Sequence, residues 1–310
     1  MLVLQEISNF ICHLKRNPML SLTQAIALLH QQFSGDISIT AIDIDSGEKI
    51  SHPAPAYVFR GESELNTELL SSRQRLLRNA NLSQETKDEI QQLAEHIESF
   101  LRSENPHLGP MWAAGILQHY GFPTEIIDAT SCIETAAAFA VSKNTSCNGQ
   151  IFVYSVEQML NNAIVIDLTP MDFSRRPVRQ KGYAIFDRKY KDLRDPVPTA
   201  NFGTKVLSFT ISDFERQQYD RDAYIYETHG DPMLNMLGLI LDQYYAGKKN
   251  QNSGVRNWLF QNLHWQQVPL NVVSARDGRP TTVELTTQVD PYITYQAWLQ
   301  LRKSNSTQGN

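Results

Sequence analysis

Arg60, Thr130, Ser131 and Gln180 are the residues of this 310-residue chain whose types and settings could do chemistry together. Arg60 ends the apolar run Tyr57-Val58-Phe59 and is followed by Gly61. A guanidinium there is a planar fork of donors that fits phosphate or carboxylate oxygens. Thr130 and Ser131 stand before the small-residue run Ile133, Ala136, Ala137, Ala140 and Val141, spaced as one face of a helix. A helix mouth carries backbone N–H groups and partial positive charge, so it suits a phosphate or a carboxamide oxygen. Gln180 opens a later apolar stretch, and Arg176 stands four residues before it. His119 and Tyr120 end the preceding helix, and Asp128 lies at the helix mouth beside Thr130. These residues are expected to converge on one cleft, a few polar groups in an apolar setting.

Plainer readings of the same residues stay open. Ser131-Cys132-Ile133-Glu134 has the form of a capping box, with Ser131 as the cap rather than a reactant. His119 could be a core histidine with its hydrogen bonds satisfied. Arg60 could be a structural arginine ion-paired with Asp128. Cys132 falls within the small-residue helix and has no assignable histidine neighbour.

The elements that must position these groups follow from pattern. Residues 3–33 read as two helices broken at Asn17-Pro18, the second carrying Leu22, Ile26, Leu29 and Phe33. Ile37 to Ile44 alternates as a strand and Asp45-Ser46-Gly47-Glu48 turns it back. His52-Pro53-Ala54-Pro55 is a stiff lead-in to the strand at Tyr57. Ser83 caps a long amphipathic helix with Ile90, Leu93, Ile97, Phe100 and Leu101 on one face. Pro110 starts the helix that Gly121 stops. Asp128 to Ser131 then opens the small-residue helix. Strands are expected at Gln150–Val156, Ala163–Leu168, Val178–Phe186 and Lys205–Ile211, with an irregular connection over Asp187–Gly203. Leu234–Tyr245 and Val255–Leu263 read as helices. Val268–Val273 and Thr281–Leu285 read as a hairpin about Asp277-Gly278. A last helix covers Tyr292–Leu301 before a frayed tail from Lys303. The class is α+β, a curved sheet of mixed or antiparallel strands with packed helices.

Composition narrows the function classes. A net charge of −5 argues against nonspecific nucleic-acid binding. No apolar run approaches the ~20 residues of a membrane span, and the N-terminus lacks the build of a secretion signal. Three cysteines without ligand spacing fit the reducing cytoplasm and offer no metal set. The Rossmann G-x-G-x-x-G, P-loop, zinc-protease and serine-hydrolase signatures are all absent.

The triplet Phe59-Arg60-Gly61, the run LQHYGFPT…IDATS…AAAFA from Leu117 to Ala140, and Arg176-x-x-x-Gln180-x-Gly182 together resemble the FRG domain family. The likeness runs from about Tyr57 to Phe186 and more weakly to Asp242. It implies an FRG domain over 57–242, an N-terminal helical arm and strand over 1–56, and a C-terminal αβ extension over 243–310. Ala129 stands where the family usually carries an aromatic residue.

The order of arginine on an early strand, Thr-Ser before a helix, and glutamine on a later strand is similar to that of mono-ADP-ribosyltransferases. That resemblance implies NAD as substrate, with Arg60, Thr130 and Gln180 as catalytic residues. Arg60, Gly61, His119, Tyr120, Asp128, Ser131 and Arg176 would then bind the dinucleotide, and ADP-ribose would pass to a protein acceptor or to water. Transferases of this kind place a glutamate two residues after the Gln180 position. Here Gly182 stands there, leaving Glu227 on the Tyr224–Glu227 strand, or Asp128, as the acid. The competing class is a non-catalytic module that binds a nucleotide or a protein partner in a stress or phage-defence system.

Overall fold

Small residues decide how closely the helices of this chain approach its strands, and that closeness positions every candidate side chain. The computed structural model describes residues 19–42, 49–65, 69–104, 108, 110–142, 146–160, 163–169, 174–187, 205–220, 226, 231–246, 254–255 and 258–259. In chain order the first elements are β1 (Leu20–Ser21), α1 (Leu22–Gln32), β2 (Asp36–Ile42), β3 (Lys49–Pro55), β4 (Tyr57–Glu62), α2 (Ser72–Arg78), α3 (Gln84–Glu104), α4 (Pro110–His119) and β5 (Ile127–Thr130). There follow α5 (Ile133–Val141), β6 (Asn148–Ser155), α6 (Val156–Met159), β7 (Ala163–Asp167), α7 (Arg175–Arg179), β8 (Gly182–Asp187), β9 (Lys205–Thr210), α8 (Asp213–Tyr219) and α9 (Pro232–Ala246). The fold is α+β, with mixed strand directions. The chain makes two compact units interleaved in sequence. Residues 1–67, 130–158 and 202–221 form one, and residues 68–129, 159–201 and 222–310 form the other.

The first unit is a sheet with strand order β1-β9-β6-β4. β1 runs parallel to β9, while β6 is antiparallel to both β9 and β4. One face of this sheet is apolar. Phe59, Ile151, Val153, Leu207 and Phe209 pack there against Leu22, Ala25 and Leu29 of α1 and Ala136, Ala137 and Ala140 of α5. Three alanines at helical spacing let α5 lie directly on β4. The same unit holds a separate antiparallel hairpin of β2 and β3. Pro53 and Pro55, read as a lead-in, are therefore part of a paired strand. They stand two residues apart, so both missing N–H groups fall on one edge and the ladder to β2 runs along the other.

The second unit holds β5 as far as Ala129, then β8 and β7, in that order, with β8 antiparallel to β7, while Thr130 belongs to the first unit. α4 is apolar all round and is covered on two sides, as such a helix must be. Ile116 and Leu117 join a helical core with Ile90, Leu93 and Ile97 of α3 and Met233, Leu237 and Ile240 of α9. Ala114 meets Ile166, Leu168 and Ala184 on the sheet side.

The expected strands at 57–61, 150–156, 163–168 and 205–211, and the helices at 22–33, 83–101, 110–120 and 234–245, match observed elements within a few residues. Of the helical residues at 254–255 and 258–259, all but Gly254 fall in the expected Val255–Leu263 helix. The helix before Asn17, the Asp45–Glu48 turn, the connection after Asp187, Glu227, the Asp277-Gly278 hairpin and everything from Tyr292 onward lie outside the described residues. Among the described residues no helix is long and apolar enough to cross a membrane.

Candidate functional site

β4 alternates, and the alternation sorts the Phe59-Arg60-Gly61 triplet between two faces. Phe59 enters the apolar core with α1 and α5. Gly61 points the same way. A Cβ there would fall on the carbonyl oxygen of Ala136 and come within 2.8 Å of the Ala140 nitrogen, so glycine is what lets the strand meet the helix backbone. Arg60 points to the other face and is 5% exposed. Its Nε donates to Oε1 of Glu62 at 2.6 Å, an ion pair between neighbours on one strand face. Across the ladder Arg60 stands opposite Phe152, and Glu62 opposite Gln150. Directly opposed residues share a face, so Arg60, Glu62 and the buried Gln150 form one polar group.

Thr130 lies elsewhere. It pairs with Phe59 and so faces α5, on the opposite side of the sheet from Arg60. Its Oγ1 accepts the N–H of Cys132 at 2.9 Å. Two expectations are corrected at this point. Residues 128–130 end a strand instead of opening the helix, and Cys132, not Ser131, is the N-cap, with no side-chain cap bond. The Ser131–Glu134 capping box does not form. Glu134 instead accepts from the Cys132 thiol and bonds Nε2 of His30. The cause is register: pairing Thr130 with Phe59 keeps the backbone extended until the helix can begin. Burial pushes Glu134 upward, but its own N–H, Cys132 and His30 outweigh this and hold it below the usual carboxylate range.

In the second unit, motif residues meet one another. His119 Nδ1 lies 2.5 Å from Oε1 of Gln180. A carboxamide oxygen only accepts, so Nδ1 carries the proton. Gln180 does not open a strand. It caps α7, its N–H donating to Arg176 O at 2.9 Å, and Lys181 (φ 47°) then turns the chain into β8. Proline is tolerated in the first turn of a helix, and Pro177 takes that place, so the segment expected as a strand from Val178 begins as a helical turn. A Cβ on Gly182 would lie 2.5 Å from Cε1 and 2.7 Å from Nε2 of His119. The His119 ring fills the space a side chain at 182 would need.

Tyr120 and Arg176 make a second internal link. The fully buried Tyr120 hydroxyl donates to Asp231 Oδ2 at 2.6 Å, while Ser174 Oγ and the Arg176 N–H donate to it at 3.3 and 3.4 Å. The Arg176 guanidinium lies 5.0 Å from the Tyr120 ring centre and 5.8 Å from that of Tyr226, within cation–π range. Asp231 also accepts the Met233 N–H at 3.0 Å, at the start of α9. Burial, then the Asp231 charge, pushes the Tyr120 hydroxyl well above its usual range. Burial likewise raises Asp231 and lowers Arg176. Asp128 accepts from Gln118 Nε2 at 3.3 Å, and Gln118 Oε1 in turn accepts the hydroxyls of Ser72 and Thr124, both at 2.6 Å.

Residues 55–148 match the FRG domain. The chain carries an FRG domain. No curated protein and no solved structure matches the chain. The matched FRG segment includes Arg60, Gly61, His119, Tyr120, Asp128, Thr130 and Ser131, and it ends before Arg176 and Gln180.

Three residues escaped the sequence reading. Glu62 was within reach of it, because a residue two beyond Arg60 on a strand must share its face. Gln150 required the strand register. Asp231 lies 111 residues from Tyr120, and no spacing rule links them.

Proposed function

We propose that the FRG domain binds NAD and splits its nicotinamide–ribose bond, passing ADP-ribose to a protein acceptor or to water in the cytoplasm. The observation that supports this reading is the buried Arg60 on the β4 face that also carries Glu62 and Gln150. An arginine held there by a carboxylate has its plane oriented before substrate arrives, which suits bidentate capture of a pyrophosphate. A carboxamide beside it can bond a ribose hydroxyl, and the acid can face the positive charge that develops on the sugar. The test is nicotinamide release from NAD by purified protein. Arg60→Ala, shown to be folded, should weaken NAD binding by at least about tenfold, the scale of one charge-assisted bidentate contact. Release that survives Arg60→Ala unchanged would keep the activity and sink this site.

A second reading, binding of a nucleotide or protein partner without turnover in a stress or phage-defence system, is favoured by one observation. Gly182 has no room for the glutamate that transferases carry there, because His119 occupies the space. Saturable binding of NAD by calorimetry with no nicotinamide released would support it.

A further inference from the structure

We infer that Glu62 is the catalytic carboxylate of this FRG domain, paired with Gln150, and that the two replace across strands what transferases place along one strand. The inference rests on the NAD-splitting reading. In a Gln/Glu-x-Glu arrangement two polar side chains share a face because they are two residues apart on one strand. Here Glu62 of β4 and Gln150 of β6 are directly opposed in an antiparallel ladder, which sets their Cβ atoms about 5 Å apart on the same face.

The surroundings fit that role. Glu62 ends β4 with 14% of its side chain exposed, the most open of the three polar groups on this face, whereas Gln150 opposite it is almost fully buried. Oε1 is engaged by Arg60 at 2.6 Å, so the carboxylate is held beside the group that would anchor the pyrophosphate. Gly61 lies between them with its backbone against Ala136, and the strand cannot shift without moving α5. Arg60 and Glu62 are therefore aimed by the packing of the opposite face of the sheet. Gly182 of the second unit then has no need of an acid.

The chemistry balances without an oxidant or a second cofactor. The bond between C1′ and the nicotinamide nitrogen breaks, and its electron pair leaves with the ring, turning the pyridinium into neutral nicotinamide. C1′ becomes an oxocarbenium ion, and water or an acceptor adds through its nucleophilic atom and gives up one proton to solvent. Glu62 remains a carboxylate throughout. It stabilises the positive sugar while Gln150 orients a ribose hydroxyl.

Glu62→Gln keeps the shape and removes the charge. The expected result is a fall in kcat for nicotinamide release of about 100-fold or more, with the Kd for NAD by calorimetry changed less than about fivefold. Glu62→Asp keeps the charge and should retain at least about ten times the kcat of the glutamine variant. A purely structural ion pair would instead show equal losses in both variants, tracking lost thermal stability. If Glu62→Gln does not fold, Glu62→Asp and Gln150→Ala decide, since each should lower kcat more than it raises Kd. Glu62→Gln with a kcat within about threefold of the parent overturns this assignment and leaves the NAD reading standing. Wild-type protein that releases no nicotinamide overturns both.

Discussion

Glu215 offers the clearest energetic test in the first unit. It is the third residue of α8, and both of its oxygens are in use. Oε1 accepts the N–H of Thr23 in the first turn of α1 at 2.8 Å, and Oε2 accepts the N–H and hydroxyl of Ser212 at 3.0 and 2.8 Å. One carboxylate thus caps α8 and pins α1 to it. Burial by itself would raise its pKa, but the Ser212 and Thr23 N–H bonds dominate and bring it from 4.5 to about 2. A shift of that size corresponds to about 3 kcal/mol of folding stability when the group is ionised. Because the folded pKa is depressed, this stabilisation is fully present above the unfolded pKa of 4.5 and is lost as pH falls toward about 2. Glu215→Gln can satisfy only one side, since its amide NH₂ would meet an N–H donor. Urea unfolding should show the variant about 2–3 kcal/mol less stable at pH 7. The gap should narrow steadily below pH 4.5. A gap below about 1 kcal/mol at pH 7, or one that persists undiminished near pH 2.5, would refute the reasoning.

Two glycines should respond with opposite signs. Gly61→Ala forces a Cβ onto the backbone of Ala136 and should cost about 3 kcal/mol or more in chemical unfolding, with loss of any NAD binding, because Arg60 and Glu62 move with the strand. Gly238→Ala, inside α9 with nothing within 4 Å of the new methyl, should raise stability by about 0.5–1 kcal/mol and leave NAD binding unchanged. Tyr120→Phe removes the hydroxyl that donates to buried Asp231 and should cost about 2–3 kcal/mol. The Asp231 carboxyl should then titrate still higher, readable by NMR, because it loses a hydrogen bond that favours its charged form.

Local pattern was sufficient where one face of an element must be buried. The spacing of Ile90, Leu93, Ile97 and Leu101 marked α3, and the alanines of α5 marked a helix able to lie on a sheet, because periodicity alone selects those faces. The Phe59-Arg60-Gly61 triplet and the Leu117–Ala140 run were enough to name the FRG domain. Capping shows where such signals stop. Ser212-x-x-Glu215 and Ser131-x-x-Glu134 have the same form in the sequence, and only the first closes. The difference is that Thr130 must pair with Phe59, a contact spanning more than seventy residues, and the extended backbone it demands carries the helix start past Ser131. The same long-range pairing put Thr130 and Arg60 on opposite faces and set Gln150 against Glu62. His119 with Gln180, and Tyr120 with Arg176 and Asp231, likewise met only on folding. Residue type and spacing determine which groups can form an element. Which groups share a face across elements depends on strand register and helix packing, and these are set by the whole chain burying its apolar surface at once.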